Sequence, residues 1–172
     1  MQLFKTSAMC VVIVAAMSVS AAGQPAQAKP TPAPTPAPIT NPNYDAELAK
    51  RLGGDDMGMK SYVVAILKTG PNDATITDKA KRDELFKGHF GMINRLAKEG
   101  KLVMAGPFGD EKRIYRGLYI FNVETIEEAK KLTETDPSIT AGIFQPEFIK
   151  WYGSAGLMMM NEIYEKISKT KP

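Results

Sequence analysis

Residues 61–68 (SYVVAILK) carry apolar side chains on both alternating sets of positions. Val63, Ala65 and Leu67 fall on one face, and Tyr62, Val64 and Ile66 on the other. A β-strand points successive side chains to opposite faces, so this strand must be covered on both sides. That excludes a sheet with one face open to water. It requires helices against one face and a further layer, such as a second sheet, against the other.

The flanking segments supply the helices. Residues 44–52 read as a short helix with Tyr44, Leu48 and Leu52 on one face, ended by Gly53-Gly54. The first strand stops at the turn Thr69-Gly70-Pro71-Asn72, and Thr77 or Asp78 caps a long helix reaching Glu99, where Gly100 stops it. Residues 101–105 and 116–123 read as a hairpin across the turn-rich Gly106-Pro107-Phe108-Gly109-Asp110. Thr125 with Glu128 has the spacing of a capping box, opening a helix that runs to about Thr135. Asp136-Pro137 breaks it, and residues 144–152 read as a fourth strand. The order β-α-β-β-α-β predicts an α+β chain of ferredoxin-like topology. A final helix over 157–168 is expected to bury Leu157, Met160, Ile163 and Ile167.

Lys5, an apolar stretch over 9–19 and Ala26-Gln27-Ala28 form the three parts of a secretory signal covering residues 1–28. The stretch is shorter than the ~20 apolar residues of a membrane span, so no stable membrane insertion is expected. Cys10, the single cysteine, leaves with the signal, and the mature chain then has no thiol nucleophile or thiolate ligand. Residues 29–42 form a proline-rich linker of extended, polyproline-like character. Beyond it we expect an N-terminal helical extension (43–60), one domain (61–153) and a C-terminal helix (154–172). The expected location is periplasmic or secreted. Loss of Lys5 lowers the formal charge from +3 to +2, with the rest interspersed, which makes no case for nucleic acid or an anionic membrane. The run Lys79-Ala80-Lys81-Arg82-Asp83-Glu84 reads as a solvated helix face.

No phosphate loop, dinucleotide fingerprint, HExxH pair or serine elbow is present. The single histidine, His89, lies on the apolar stripe of the long helix with Leu85, Ile93 and Leu96, and Phe86 and Phe90 beside it. An imidazole there needs a hydrogen-bond partner. The partner is either a backbone carbonyl, which makes it a satisfied core histidine, or a carboxylate, which makes it an acid–base group. Met158-Met159-Met160 with Met57 and Met59 reads as gap-filling packing rather than a soft cuprous site. Trp151 and Tyr152 suit either a ligand stack or a contact at a sheet rim.

Gly88-His89, Leu102-Val103-Met104-Ala105-Gly106-Pro107-Phe108, Ile126-Glu127-Glu128-Ala129, Thr135-Asp136-Pro137 and Trp151-Tyr152-Gly153 occur in order. In this pattern the chain resembles the YCII-related (YciI-like) domain family over nearly all of residues 61–153. The resemblance implies a dimeric α/β barrel, in which two ferredoxin-like sheets pack face to face as a homodimer. It also implies a His-Asp active-site pair, which falls on His89 and Asp136. A carboxylate on one imidazole nitrogen sets the tautomer and makes the other nitrogen more basic, which supplies an acid or base but no nucleophile. The expected activity is proton transfer on a small cyclic or carbonyl-bearing molecule, in the manner of a lyase, isomerase or dehydrohalogenase. The alternatives are a non-catalytic small-molecule-binding or accessory module and, more weakly, haem binding through His89. No cofactor or metal is expected for the leading reading.

Overall fold

The computed structural model describes residues 41–170. The expected secretory signal and all but the end of the proline-rich linker lie outside the described residues. The elements are α1 (Ala46–Leu52), β1 (Met59–Thr69), α2 (Lys79–Lys98), β2 (Leu102–Pro107), β3 (Tyr115–Phe121), α3 (Ile126–Thr133), α4 (Pro137–Thr140), β4 (Phe144–Ser154), a 3₁₀ turn (Ala155–Met159) and α5 (Met160–Ile167). The sheet is antiparallel with order β2-β3-β1-β4. This is the ferredoxin-like arrangement, with β1 in the interior and β2 and β4 at the edges.

The first four helices start where a short polar side chain satisfies free backbone N–H groups, whereas α5 continues directly from the 3₁₀ turn without a side-chain cap. Asp78 accepts from the Lys81 amide at 2.7 Å, and Thr125 and Glu128 complete their capping box. Along α2 the buried positions are Leu85, His89, Met92 and Leu96, so Met92 takes the place expected for Ile93, which is only partly buried. These side chains meet Val63, Ala65 and Leu67 of β1 and Tyr119 and Phe121 of β3, and Ala129 of α3 completes the layer. Full burial of a residue such as Leu96 or Phe121 contributes about 1.5–3 kcal/mol before the entropy of ordering is charged.

The second face of the sheet has its own cluster, Tyr62, Val103 and Ile120, with Leu157 and Met158 of the 3₁₀ turn packed against it. The methionines thus enter as packing at Met158. The expected burial of the last helix is corrected beyond that point. No residue of α5 is buried, and Ile163 and Ile167 are 42% and 75% exposed. α5 is tied to the sheet edge only at its start, where Asn161 donates to the Leu102 carbonyl of β2 at 2.7 Å, and past that point its apolar stripe is uncovered in the single chain. The short helix α1 likewise buries no residue and packs on the 3₁₀ turn rather than on the sheet.

One loop fixes the geometry near the site. Gly70 donates its N–H to the Ile143 carbonyl at 2.8 Å, and Asn72 bonds to Gly142 and Ala141 at 2.9 Å each. This seats residues 70–76 on the turn after α4. A Cβ at Gly70 would stand 2.2 Å from the Gly142 carbonyl oxygen, which is backbone and cannot swing aside. Gly70→Ala is therefore expected to destabilise the domain by about 1–3 kcal/mol, as overpacking does, while Gly109→Ala, at a position with open space, leaves the denaturant midpoint unchanged. Equal midpoints for the two variants would contradict this packing.

Candidate active site

The expected pair is in contact. His89 Nδ1 and Asp136 Oδ2 are 2.8 Å apart, and the two residues are 7% and 0% exposed. Asp136 was expected at the end of the preceding helix, but that helix ends at Thr133 with Glu134 as its C-cap. Asp136 is the N-cap of the separate helix α4, with Pro137 at the first helical position, and its Oδ1 accepts from the Ser138 amide at 2.9 Å. One carboxylate oxygen therefore holds the helix start and the other faces the sheet and α2.

Gly88 lets these elements come together. A Cβ there would lie 2.6 Å from Pro137 Cγ, so only glycine at this point of α2 admits α4 so closely. Ser138, fully buried, adds a hydroxyl donated to the Leu85 carbonyl at 3.3 Å. The Gly88-His89 and Asp136-Pro137 dipeptides are thus two halves of one contact.

A third residue completes the site. Tyr119 of β3 donates its hydroxyl to Asp136 Oδ2 at 2.8 Å, and its oxygen lies 3.1 Å from His89 Nδ1. Sequence reasoning missed it because it reads as one more aromatic residue on a strand. Its inward parity, opposite Ala65 on the helix-facing side, was the available signal. Burial first, then the Asp136 charge and hydrogen bond, push its phenol well above the usual tyrosine range. It remains a proton donor and does not serve as the base.

The tautomer of His89 is assigned from its partners. An ionised carboxylate only accepts, and Oδ2 accepts from the Tyr119 hydroxyl and from Nδ1–H alike. Nε2 is left with its lone pair. The imidazole is ringed by Phe86, Phe90, Phe144 and Tyr119, with centroids at 5.9, 5.3, 5.3 and 6.0 Å. Among the described residues no buried side-chain polar atom lacks a partner, and none of their acidic, histidine or cysteine side chains cluster as a metal site would.

The sequence profile of the YCII-related domain family matches residues 62–151, just over half of the chain, and this protein belongs to that family. An uncharacterised protein of Bacillus subtilis (strain 168), YjpA, is 29% identical over 75 residues, spanning 44% of this chain and 84% of that protein. Among solved structures, the 5-chloro-2-hydroxyhydroquinone dehydrochlorinase TftG of Burkholderia phenoliruptrix AC1100, in complex with 2,5-dihydroxybenzoquinone, aligns with a TM-score of 0.39. It is 21% identical, over 52% of this chain and 92% of that one.

Two variants test the construction. Tyr119→Phe removes a hydrogen bond to a charged group and is expected to cost about 1.5–3 kcal/mol at neutral pH. Because the folded phenol titrates above its unfolded value of about 10, its contribution is full below that pH and is lost as pH rises through the folded value. Denaturant melts of Tyr119→Phe should therefore fall less steeply above about pH 10 than those of the parent, with Tyr62 still contributing a decline. In Gly88→Ala the clash with Pro137 outweighs the roughly 1 kcal/mol of helix propensity gained, so the variant is expected to be less stable. A stabilised Gly88→Ala would contradict the close approach of α2 and α4.

Proposed function

We propose that this YCII-family protein binds a small organic molecule beside His89 and moves a proton with it. His89 Nε2 is the acid–base atom, Asp136 orients the ring and supports the charge of the imidazolium, and Tyr119 fixes the carboxylate. The observation that carries this reading is the fully buried Asp136 carboxylate bonded to Nδ1 of the single histidine, which leaves Nε2 as the basic atom. With no nucleophile in the assembly, the chemistry it suits is removal or return of a proton on a cyclic or carbonyl-bearing substrate. That is a lyase-, isomerase- or dehydrohalogenase-like step. The low exposure of the ring favours a second reading, a module that binds the same class of molecule without turnover.

Two further parts of the reading concern assembly and location. Val64, Ile66, Ile149 and Trp151 share the second face of the sheet, and Ile149 and Trp151 are 48% and 40% exposed. An apolar sheet face of this kind suits a second copy packed face to face, as in a dimeric α/β barrel, and light scattering at micromolar concentration is expected to report a dimer. The secretory pattern over 1–28 supports export, periplasmic or extracellular, with Lys29 as the first mature residue.

The direct test is deuterium exchange of acidic C–H groups in a panel of phenolic, quinone and cyclic ketone compounds, followed by NMR in heavy water. The parent is expected to catalyse exchange in at least one member, and His89→Gln to lower it by about 10²–10⁴-fold. Saturable binding of a panel compound with no exchange would favour the non-catalytic module.

A further inference from the structure

Arg82 of α2, Arg113 of the β2–β3 loop and Arg116 of β3 converge on the single carboxylate of Asp73, in the loop between β1 and α2. The distances are 2.8 Å from Arg82 to Oδ1, and 3.0 and 3.3 Å from Arg113 and Arg116 to Oδ2. This corrects the reading of the 79–84 run as wholly solvated. Lys79 and Lys81 pair with Asp83 and Glu84 on the exposed side, but Arg82 turns inward. Burial acts to raise the Asp73 carboxyl, but the arginines overcome it and hold it below its usual value, so it stays charged.

Three guanidinium groups against one carboxylate leave an excess of two positive charges. Arg82 also donates from Nη1 to the Asp73 and Ile76 carbonyls, each at 3.0 Å, and so fastens the loop. Arg113 and Arg116 do not. Among the described residues their side chains hydrogen-bond only to Asp73, although Arg116 is just 17% exposed. Since no buried side-chain polar atom among the described residues lacks a partner, the donors that these two leave unused are open to an acceptor from outside. Arg113 is also the single non-glycine residue with positive φ among the described residues, at 57°. The loop is held in that form by Asp110, which accepts from the Lys112, Ile114 and Tyr115 amides, and by the Thr69 hydroxyl on the Arg113 carbonyl. Backbone in this region is disfavoured for a side-chain-bearing residue and is retained where the surroundings impose it.

The cluster adjoins His89 through shared rings. Arg116 stacks on Phe144 at 5.1 Å, and Phe144 lies 5.3 Å from the imidazole. Arg82 stands over Phe86 at 5.8 Å, and the Phe86 ring is 5.9 Å from the His89 imidazole. We infer that Arg113 and Arg116 bind the carboxylate of the small molecule whose reacting carbon is presented to His89, with Asp73 and Arg82 as positioning residues. The inference deepens the acid–base reading and rests on it. Planar guanidinium groups match a carboxylate with paired N–H donors, and the recessed setting suits a small ligand.

The test is an NMR titration of the full chain with benzoate, following the side-chain N–H signals of Arg113 and Arg116 and the ring of His89. Sodium chloride at matched ionic strength and inorganic phosphate are run as parallel arms. Benzoate is expected to saturate, moving all three residues with one dissociation constant, and Arg113→Lys and Arg116→Lys are each expected to weaken it by about tenfold or more. Arg113 lies at the exposed rim, so its variant keeps the test valid should Arg116→Lys fold poorly. A non-saturating response equal to that of chloride overturns the site. Tighter binding of phosphate overturns the carboxylate assignment, and arginine shifts without a His89 shift overturn the claim that the two belong to one site. The acid–base reading is judged separately, by deuterium exchange in His89→Gln.

Discussion

Asp136 is a carboxylate with no exposed surface, and the local structure is organised around that fact. A buried charge is tolerated only when its oxygens are hydrogen-bonded, and here the partners come from three directions. The Ser138 amide is supplied by the helix that Asp136 itself caps, the Tyr119 hydroxyl by the central part of the sheet, and the imidazole by α2. Removing any one partner leaves the carboxylate short of a donor. The same contacts that hold α4 against α2 and the sheet also hold the histidine ring in one orientation. Stability and candidate chemistry depend on one atom set.

The fold delivers these groups economically. The split βαβ order brings α2 and the segment after α3 to the same face of the sheet. The inward parity of β3 then puts Tyr119 beneath both. Gly88 removes the one side chain that would keep the two helices apart. The opposite face of the sheet is left apolar, with Leu157 and Met158 covering one end and Ile149 and Trp151 in the open.

Most of the architecture was legible before the structure because period, caps and turns agreed. The two-faced strand, the Asp78 and Thr125 caps and the hairpin all appear close to their expected bounds. The His89–Asp136 contact was legible only through family resemblance, since a histidine on an apolar stripe asks for a partner without naming it. Tyr119 was not legible, because a hydroxyl that serves a distant carboxylate leaves no local signature. Neither were the inward turn of Arg82 and the exposure of Ile163 and Ile167. Periodicity marks a face as apolar or charged but does not say what lies opposite it, and those outcomes depend on tertiary neighbours in the 70–76 loop and beyond the 3₁₀ turn.

The central claim is that Asp136 holds the neutral imidazole of His89 with the proton on Nδ1 and the lone pair on Nε2. Nitrogen-15 NMR of the ring, labelled at its single histidine, reads this directly. The account predicts a protonated Nδ1 and an unprotonated Nε2 in the neutral form, and a shift toward the other tautomer in Asp136→Asn. A neutral ring protonated at Nε2 in the parent protein would contradict it.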